Sequence, residues 1–435
     1  MNKHVLFWSI TVGLGGMLFG LDVAVISGAE LAIQALWKLD SWTHGLAIAT
    51  ALYGTVVGAA LGGIPADRFG RKPTLLWIGI SFFISSIGAA LASNVEYFML
   101  FRFLGGLGIG ASSVVAPIYI SEIAPAKHRG KLVISFQLNV VLGILIAYIS
   151  NYFIQGMEND WRIMLGVVGI PSLLFSILIL FTPETPTFLL LKRNDVVGAK
   201  KVLALADPNP EETIQRITDN QKLQIQGDRL FSKKFITPLV LSFLFSFFNQ
   251  MSGINAIIYY APRIYELTGL GKESALLSTA GIGLANLIFT MIGWYFIDRV
   301  GRRKLMYIGS FGYIISLGLI TLSFYHESFT LVPLYIFVFI ASHAIGQGSV
   351  IWVFISEIFP NSVRASGMAW GSLTHWVLAA LVANFFPIFT EMFGGTVIFG
   401  FFGLMMIGQL TYVMFLMPET KGTSLEDIEK QMIIH

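Results

Sequence analysis

Apolar runs long enough to cross a bilayer recur along this chain of 435 residues, separated for the most part by short polar loops. A helix needs about 20 predominantly apolar residues to span the hydrocarbon core. Twelve such spans are predicted, over residues 5–28, 46–66, 74–93, 97–120, 131–154, 162–182, 236–264, 275–297, 305–325, 331–356, 364–389 and 395–417. One long connection breaks the rhythm. Residues 183–235 are polar and helix-favouring, with Pro183, Pro186, Pro208 and Pro210 as breaks, and read as short amphipathic helices lying under a membrane. The end of the chain repeats the theme, because Ser424 and Asp427 pattern a capping box with Asp in place of Glu.

Three loop signatures occur twice. Asp67-Arg-Phe-Gly-Arg-Lys72 returns 231 positions later as Asp298-Arg-Val-Gly-Arg-Arg303. Ser121-Glu-Ile-Ala-Pro125 returns as Ser356-Glu-Ile-Phe-Pro360, and Pro183-Glu-Thr185 as Pro418-Glu-Thr420, both at an offset of 235. Arg129 and Arg364 each follow the glutamate of the second signature by seven residues. The predicted fold is therefore an all-α polytopic membrane protein of twelve transmembrane helices in two six-helix pseudo-repeats, with a substrate held at the bilayer midplane between them. Its parts are an N-terminal half (1–183), a cytoplasmic helical linker (184–235), a C-terminal half (236–418) and a cytoplasmic tail helix (419–435). Of the 28 Lys and Arg residues, 22 lie on the side that the even-numbered spans lead into. That side is expected to be cytoplasmic, with both termini on it.

Composition agrees: 55% of residues are hydrophobic and 12% charged, where soluble proteins carry about 25% charged residues. A net charge of +3 suggests no nucleic-acid partner, and the absence of cysteine excludes disulfide and thiol chemistry. No cleavable signal peptide is expected, because the first run is long enough to span and carries an acid.

That acid is Asp22, the one strongly ionisable residue between Val5 and Ala29. A carboxylate at the bilayer centre costs about 2.5–3.5 kcal/mol on insertion scales, so it is expected to face a cavity or a partner. Arg102, at the start of the fourth span, is the natural partner, although its position also permits snorkelling. Beside arginine the acid stays ionised; when the arginine withdraws, desolvation favours the protonated form. Proton affinity that depends on conformation is what coupling to a proton gradient requires.

Neutral polar residues punctuate the other spans: Gln137, Asn139, Asn249, Gln250, Asn255, Asn286, Gln347 and Asn384. Singly, each suits interhelical hydrogen bonding. Together they outnumber what packing needs, and as donors and acceptors they suit a polyhydroxylated ligand. Trp352 and Trp376 lie well inside their spans, where they can stack on a sugar ring or serve as core. His343 and His375 read as cavity or supporting residues, with a second titrating site possible. At the loop ends, Asp67 and Arg71 are expected to pair with Glu122 and Arg129, and Asp298 and Arg302 with Glu357 and Arg364. Glu184 and Glu419 of the Pro-Glu-Thr signatures join these sets. Exposed ion pairs are worth about 0–1 kcal/mol each, which suits a latch better than a strut. Glycines at four-residue spacing (Gly54, Gly58 and Gly62; Gly16 and Gly20; Gly106 and Gly110) are expected to let helices approach closely. No metal spacing, nucleophile elbow or hydrolytic carboxylate pair is visible, so neither an enzyme nor a cofactor is expected.

Almost end to end, these motifs resemble the sugar porter family of the major facilitator superfamily. The marks are Asp67–Lys72, Arg102 with Gly105-Gly106, Ser121–Arg129, Pro183–Pro186, Gln250-x-Ser-Gly-Ile-Asn255, Asp298–Lys304, Ser356–Arg364 and Pro418–Gly422. The resemblance implies a twelve-helix alternating-access carrier for monosaccharides. It implies sugar contacts at Gln137, Gln250, Asn255, Asn286 and Trp352, with Trp376 close by. Asn249, Gln347 and His375 are added as candidates. Proton-coupled members carry the first-span aspartate and fourth-span arginine, whereas animal facilitators have asparagine at the acid position, so Asp22 argues for symport. Several positions depart from the family pattern. Asn249 replaces the first glutamine of span 7, Thr187 an arginine, and Val168 the sixth-span glutamate of a proton-coupled member. His375 stands where an amide commonly precedes the tryptophan, and the proline before Trp352 is replaced.

The expectation is a proton-coupled monosaccharide symporter in the cell membrane, acting as a monomer on sugar and proton within the lipid bilayer. A sugar uniporter and a non-transporting sugar sensor are the alternatives. Sugar-induced alkalinisation separates the first, and the short sequence after Lys421 argues against the second.

Overall fold

The computed structural model describes residues 2–125, 129–206, 209–224, 230–360 and 363–422. The tail helix beyond 422, with the Ser424–Asp427 box, and the side chain of Arg129 lie outside the described residues. Among the described residues all regular structure is helical.

Among the described residues, eleven helical segments have the length and apolarity to cross a membrane: Lys3–Trp37, Ser41–Leu61, Arg71–Leu91, Val95–Ile123, Ser135–Ile154, Asp160–Leu180, Lys233–Leu267, Lys272–Val300, Arg302–Tyr325, Val332–Ile358 and Arg364–Phe415. The last is 52 residues long and leaves helical geometry at Gly394 (φ 74°, ψ 169°), so it makes two spans and brings the total to twelve. Numbered in this order, span 1 runs on to Trp37, well past the expected end at residue 28. Span 7 is two helices, Ile236–Met251 and Ile254–Leu267, joined through Gly253 at φ +83° and kinked again at Tyr260 ahead of Pro262. Span 10 breaks at Gly346 into Val332–Ile345 and Gln347–Ile358. Among the described residues, the connection after span 6 holds the α-helices Pro186–Arg193, Val196–Ala206 and Pro210–Gln224.

Large apolar side chains such as Leu91, Ile170 and Trp77 are about 70% exposed (74%, 71% and 68%). Lipid tails are the solvent that makes such a surface stable, because helices satisfy their own backbone there. Between helices, glycine sets the spacing. A Cβ on Gly106 would stand 1.9 Å from the Ala51 carbonyl oxygen, and one on Gly20 would stand 1.9 Å from that of Val140. These contacts join span 4 to span 2 and span 1 to span 5 backbone to backbone, as small residues at four-residue spacing permit.

The chain forms two compact units. One comprises Met1–Val25, Thr50–Ala147 and Glu158–Gly227; the other comprises Ile26–Ala49, Tyr148–Met157 and Asp228–His435. The polypeptide passes from one to the other inside spans 1, 2 and 5.

Candidate functional site

In the first unit, span 1 carries Asp22 and span 4 carries Arg102 about two turns from its start at Val95. Arg102 Nη1 donates to Asp22 Oδ1 at 2.9 Å, and Nη2 donates to the Asp22 backbone carbonyl at 3.1 Å. Both side chains are 2% exposed, which overrules snorkelling for Arg102. Asp22 Oδ2 is buried with no hydrogen-bond partner among the described residues. Space for the pair comes from Gly105, where a Cβ would meet Ser85 Oγ at 2.4 Å and Asp22 Oδ1 at 3.6 Å. The carboxylate is thus neutralised by one guanidinium yet keeps an oxygen able to take a proton.

In the second unit, polar residues form two clusters, one on spans 7, 10 and 11 and the other on spans 9, 10 and 12. In one, Gln250 Nε2 donates to Asn249 Oδ1 at 2.8 Å and lies 3.2 Å from both His375 ring nitrogens. Asn255 Nδ2 donates to Gln250 Oε1 at 2.5 Å. The His375 ring sits between Trp352 and Trp376, with centroids 5.2 and 4.8 Å away. An aromatic face beside a chain of amides is a surface that can take both the apolar face and the hydroxyls of a sugar. Asn286, on span 8, accepts from Thr290 Oγ1 at 3.4 Å.

The other cluster is internal. Gln347, which opens the second helix of span 10, accepts from Tyr313 Oη at 3.4 Å and donates to Gln409 Oε1. Gln409 donates in turn to Ser310 Oγ at 2.8 Å, and Tyr313 Oη lies 2.5 Å from His343 Nδ1. Gln347 is therefore engaged at both ends of its amide and fully buried. Asn384 Oδ1 is buried and has no partner among the described residues. Gln137 and Asn139 belong to the first unit, where Asn139 donates to the Ser135 carbonyl at 2.9 Å.

The repeated loop signatures build two matching charge clusters, one inside each unit. In the first, Arg71 reaches Asp67 and Glu122, each at 3.1 Å. In the second, Arg302 reaches Asp298 at 2.9 Å and Glu357 at 2.7 Å. Arg364 donates from Nε to the Phe359 carbonyl at 3.2 Å. The Pro-Glu-Thr glutamates do something different: they cap helices. Glu184 accepts the backbone N–H groups of Arg71 and Lys72, and Glu419 those of Arg302 and Arg303. These are orphan donors at helix N-termini, where a carboxylate also meets the positive end of the helix dipole. Burial nevertheless pushes the Glu184 carboxyl above the usual carboxylate range, against the pull of the Thr185, Lys72 and Arg71 amides and the Arg71 guanidinium. Gly70 and Gly301 precede the capped helices at φ +117° and +103°.

Two features escape sequence reasoning. Gln409 and Ser310 are ordinary polar residues in apolar spans until their helices meet Gln347. The second feature is a buried charge cluster of Glu30, His44 and Arg263. Its signal is faint: an acid just beyond the apolar run of span 1, in a stretch that can continue the helix.

Known proteins bear on this geometry. A sequence profile described as "Sugar (and other) transporter" matches residues 8–432. An arabinose–proton symporter of Bacillus subtilis is 36% identical, over 99% of this chain and 95% of the relative. The D-xylose–proton symporter of Escherichia coli is 32% identical, over 98% and 96%. Among solved structures, the E. coli xylose transporter XylE in a partially occluded inward-open conformation superposes with a TM-score of 0.87 at 30% identity, covering 97% of this chain and all of that one.

Proposed function

The chain belongs to the sugar transporter family of the major facilitator superfamily, and we propose that it is a proton-coupled monosaccharide importer working by alternating access in the cell membrane, with its termini in the cytoplasm. The observation that carries the coupling is the half-engaged carboxylate of Asp22, buried against Arg102 with one oxygen left over. Protonation of Asp22 releases Arg102 and permits the sugar-loaded carrier to change conformation. Proton loss to the cytoplasm restores the pair after the sugar leaves. Symporters among the relatives support the reading. A proton crossing the membrane supplies about 2.3 kcal/mol per 100 mV and about 1.4 kcal/mol per pH unit, enough for accumulation of a few hundredfold.

The proposed sugar contacts in the second unit are Gln250, Asn255, Asn286, Trp352, His375 and Trp376; in the first unit the proposed contact is Gln137. Asn249, which accepts from Gln250, and Gln347, held between Tyr313 and Gln409, complete the proposed contacts. The two charge clusters around Arg71 and Arg302 act as latches on the cytoplasmic side.

Uptake into proteoliposomes under an imposed proton gradient tests the coupling. Wild type is expected to accumulate sugar, and Asp22→Asn to exchange sugar across the membrane without accumulating it. Accumulation by Asp22→Asn at the wild-type level removes the coupling role.

A further inference from the structure

Glu30, His44 and Arg263 all lie in the second unit, whereas Asp22 belongs to the first, and nothing in the transport cycle above uses them. Glu30, on the extended end of span 1, is fully buried. Arg263, on the second helix of span 7, clamps it with Nε on Oε1 at 2.9 Å and Nη2 on Oε2 at 2.7 Å. His44, at the start of span 2 and also fully buried, brings Nε2 to the same Oε2 at 2.8 Å. Its Nδ1 is buried with no hydrogen-bond partner among the described residues. One carboxylate oxygen thus serves two nitrogen groups, and the imidazole has an unused lone pair.

The geometry points to a second proton-binding site at His44 and Glu30, whose occupation releases Arg263 and with it the second helix of span 7. The inference rests on the carrier reading, in which this end of the spans faces outward. With His44 neutral, Nε2–H donates to Glu30 and the trio carries no net charge. A proton taken at Nδ1 leaves the trio at +1, with imidazolium and guanidinium competing for one buried carboxylate. Unbalanced buried charge is costly. Arg263 is the member with a way out: its side chain is 19% exposed while those of Glu30 and His44 are 0% exposed. It lines a cavity of about 930 Å³ together with Gln34, Asp40, Trp42, Glu266 and Glu391.

Glu266 and Glu391 line the same cavity as Arg263, and Glu391 accepts from Ser41 Oγ. Tyr260 packs its ring on His44 at 6.2 Å and donates its hydroxyl to the Ala383 carbonyl. Asp40 is held below the usual carboxylate range by its Thr43 hydrogen bonds, so it stays ionised where imidazoles titrate, at about pH 5–8. The helix that would move, Ile254–Leu267, follows Gly253 in a left-handed conformation and is kinked at Tyr260, so its helical continuity with the rest of span 7 is already interrupted.

The chain contains no cysteine, so two spin labels can be placed through cysteines introduced at Leu36 and Leu267, exposed positions on the two helices that Glu30 and Arg263 join. The distance distribution is measured by electron–electron resonance in nanodiscs at pH 8 and pH 5.5. The expected result is a several-fold rise in the long-distance population at the lower pH. His44→Gln should hold the short distance at both values, and Glu30→Gln should show the long one at both. Should Glu30→Gln fail to fold, Glu30→Gln/Arg263→Gln, which leaves no buried charge unpaired, carries the same expectation. Asp22→Asn should keep the wild-type response whether or not it abolishes accumulation, which separates this site from the coupling acid. A pH response that is absent in wild type, survives His44→Gln, or disappears in Asp22→Asn overturns the inference.

Discussion

Arg102 holds Asp22 through a single carboxylate oxygen and spends its other terminal nitrogen on the same residue's backbone carbonyl. The guanidinium therefore fixes the position of the aspartate without saturating it. Removing the arginine strands a carboxyl group in an apolar site, where the neutral acid is favoured. Arg102→Ala is expected to exchange sugar with little dependence on pH and to fail to accumulate it. Counterflow and gradient-driven uptake in proteoliposomes separate the two activities; accumulation by Arg102→Ala contradicts the assignment.

Gly301 and Glu419 make a second close pair. A Cβ on Gly301 would stand 2.5 Å from Glu419 Oε2, and the residue holds φ at +103°. Gly70 and Glu184 repeat this, with a Cβ at 2.1 Å. Alanine at either glycine combines a disfavoured backbone with displacement of a helix-capping carboxylate, for a loss of about 1–3 kcal/mol. Thermal melts of Gly301→Ala and Gly70→Ala should show it. Unchanged melting temperatures would mean that the carboxylates do not cap these helices.

Glu184 makes stability depend on pH. Its carboxyl is raised above the unfolded value of 4.5, so the folded protein binds this proton more tightly than the unfolded chain does. Stability from this group is then greatest at low pH, is lost as pH rises through the folded value, and is level above it. Lowering the pH from 7.5 to about 5 is expected to raise the melting temperature of wild type more than that of Glu184→Gln. Parallel pH profiles for the two proteins would show that Glu184 contributes nothing to the slope.

Gln409 supports Gln347. Gln409→Leu leaves the Gln347 amide nitrogen and the Ser310 hydroxyl without a partner in a buried site, at about 1–3 kcal/mol. The variant should melt lower and bind sugar more weakly, whereas Ser310→Ala should melt lower with sugar affinity unchanged. Titration of sugar binding by intrinsic tryptophan fluorescence checks both; equal affinities in the two variants would leave Gln347 with no part in orienting the sugar site.

The spans, the doubled loop signatures and the Asp22–Arg102 pairing were legible in the residues themselves. Transfer of an apolar run into a bilayer is a local property, and a charge within one is conspicuous wherever it lies. Which side chains meet across helices was not legible. These helices are apolar nearly all round, so their periodicity does not fix which face turns towards which neighbour. Span 1 continuing to Trp37, span 7 parting at Gly253 and span 10 parting at Gly346 decide that Glu30 reaches Arg263 and that Gln347 is tied to Gln409. Those pairings depend on helix rotation and length, which interhelical packing sets only once the whole chain is assembled.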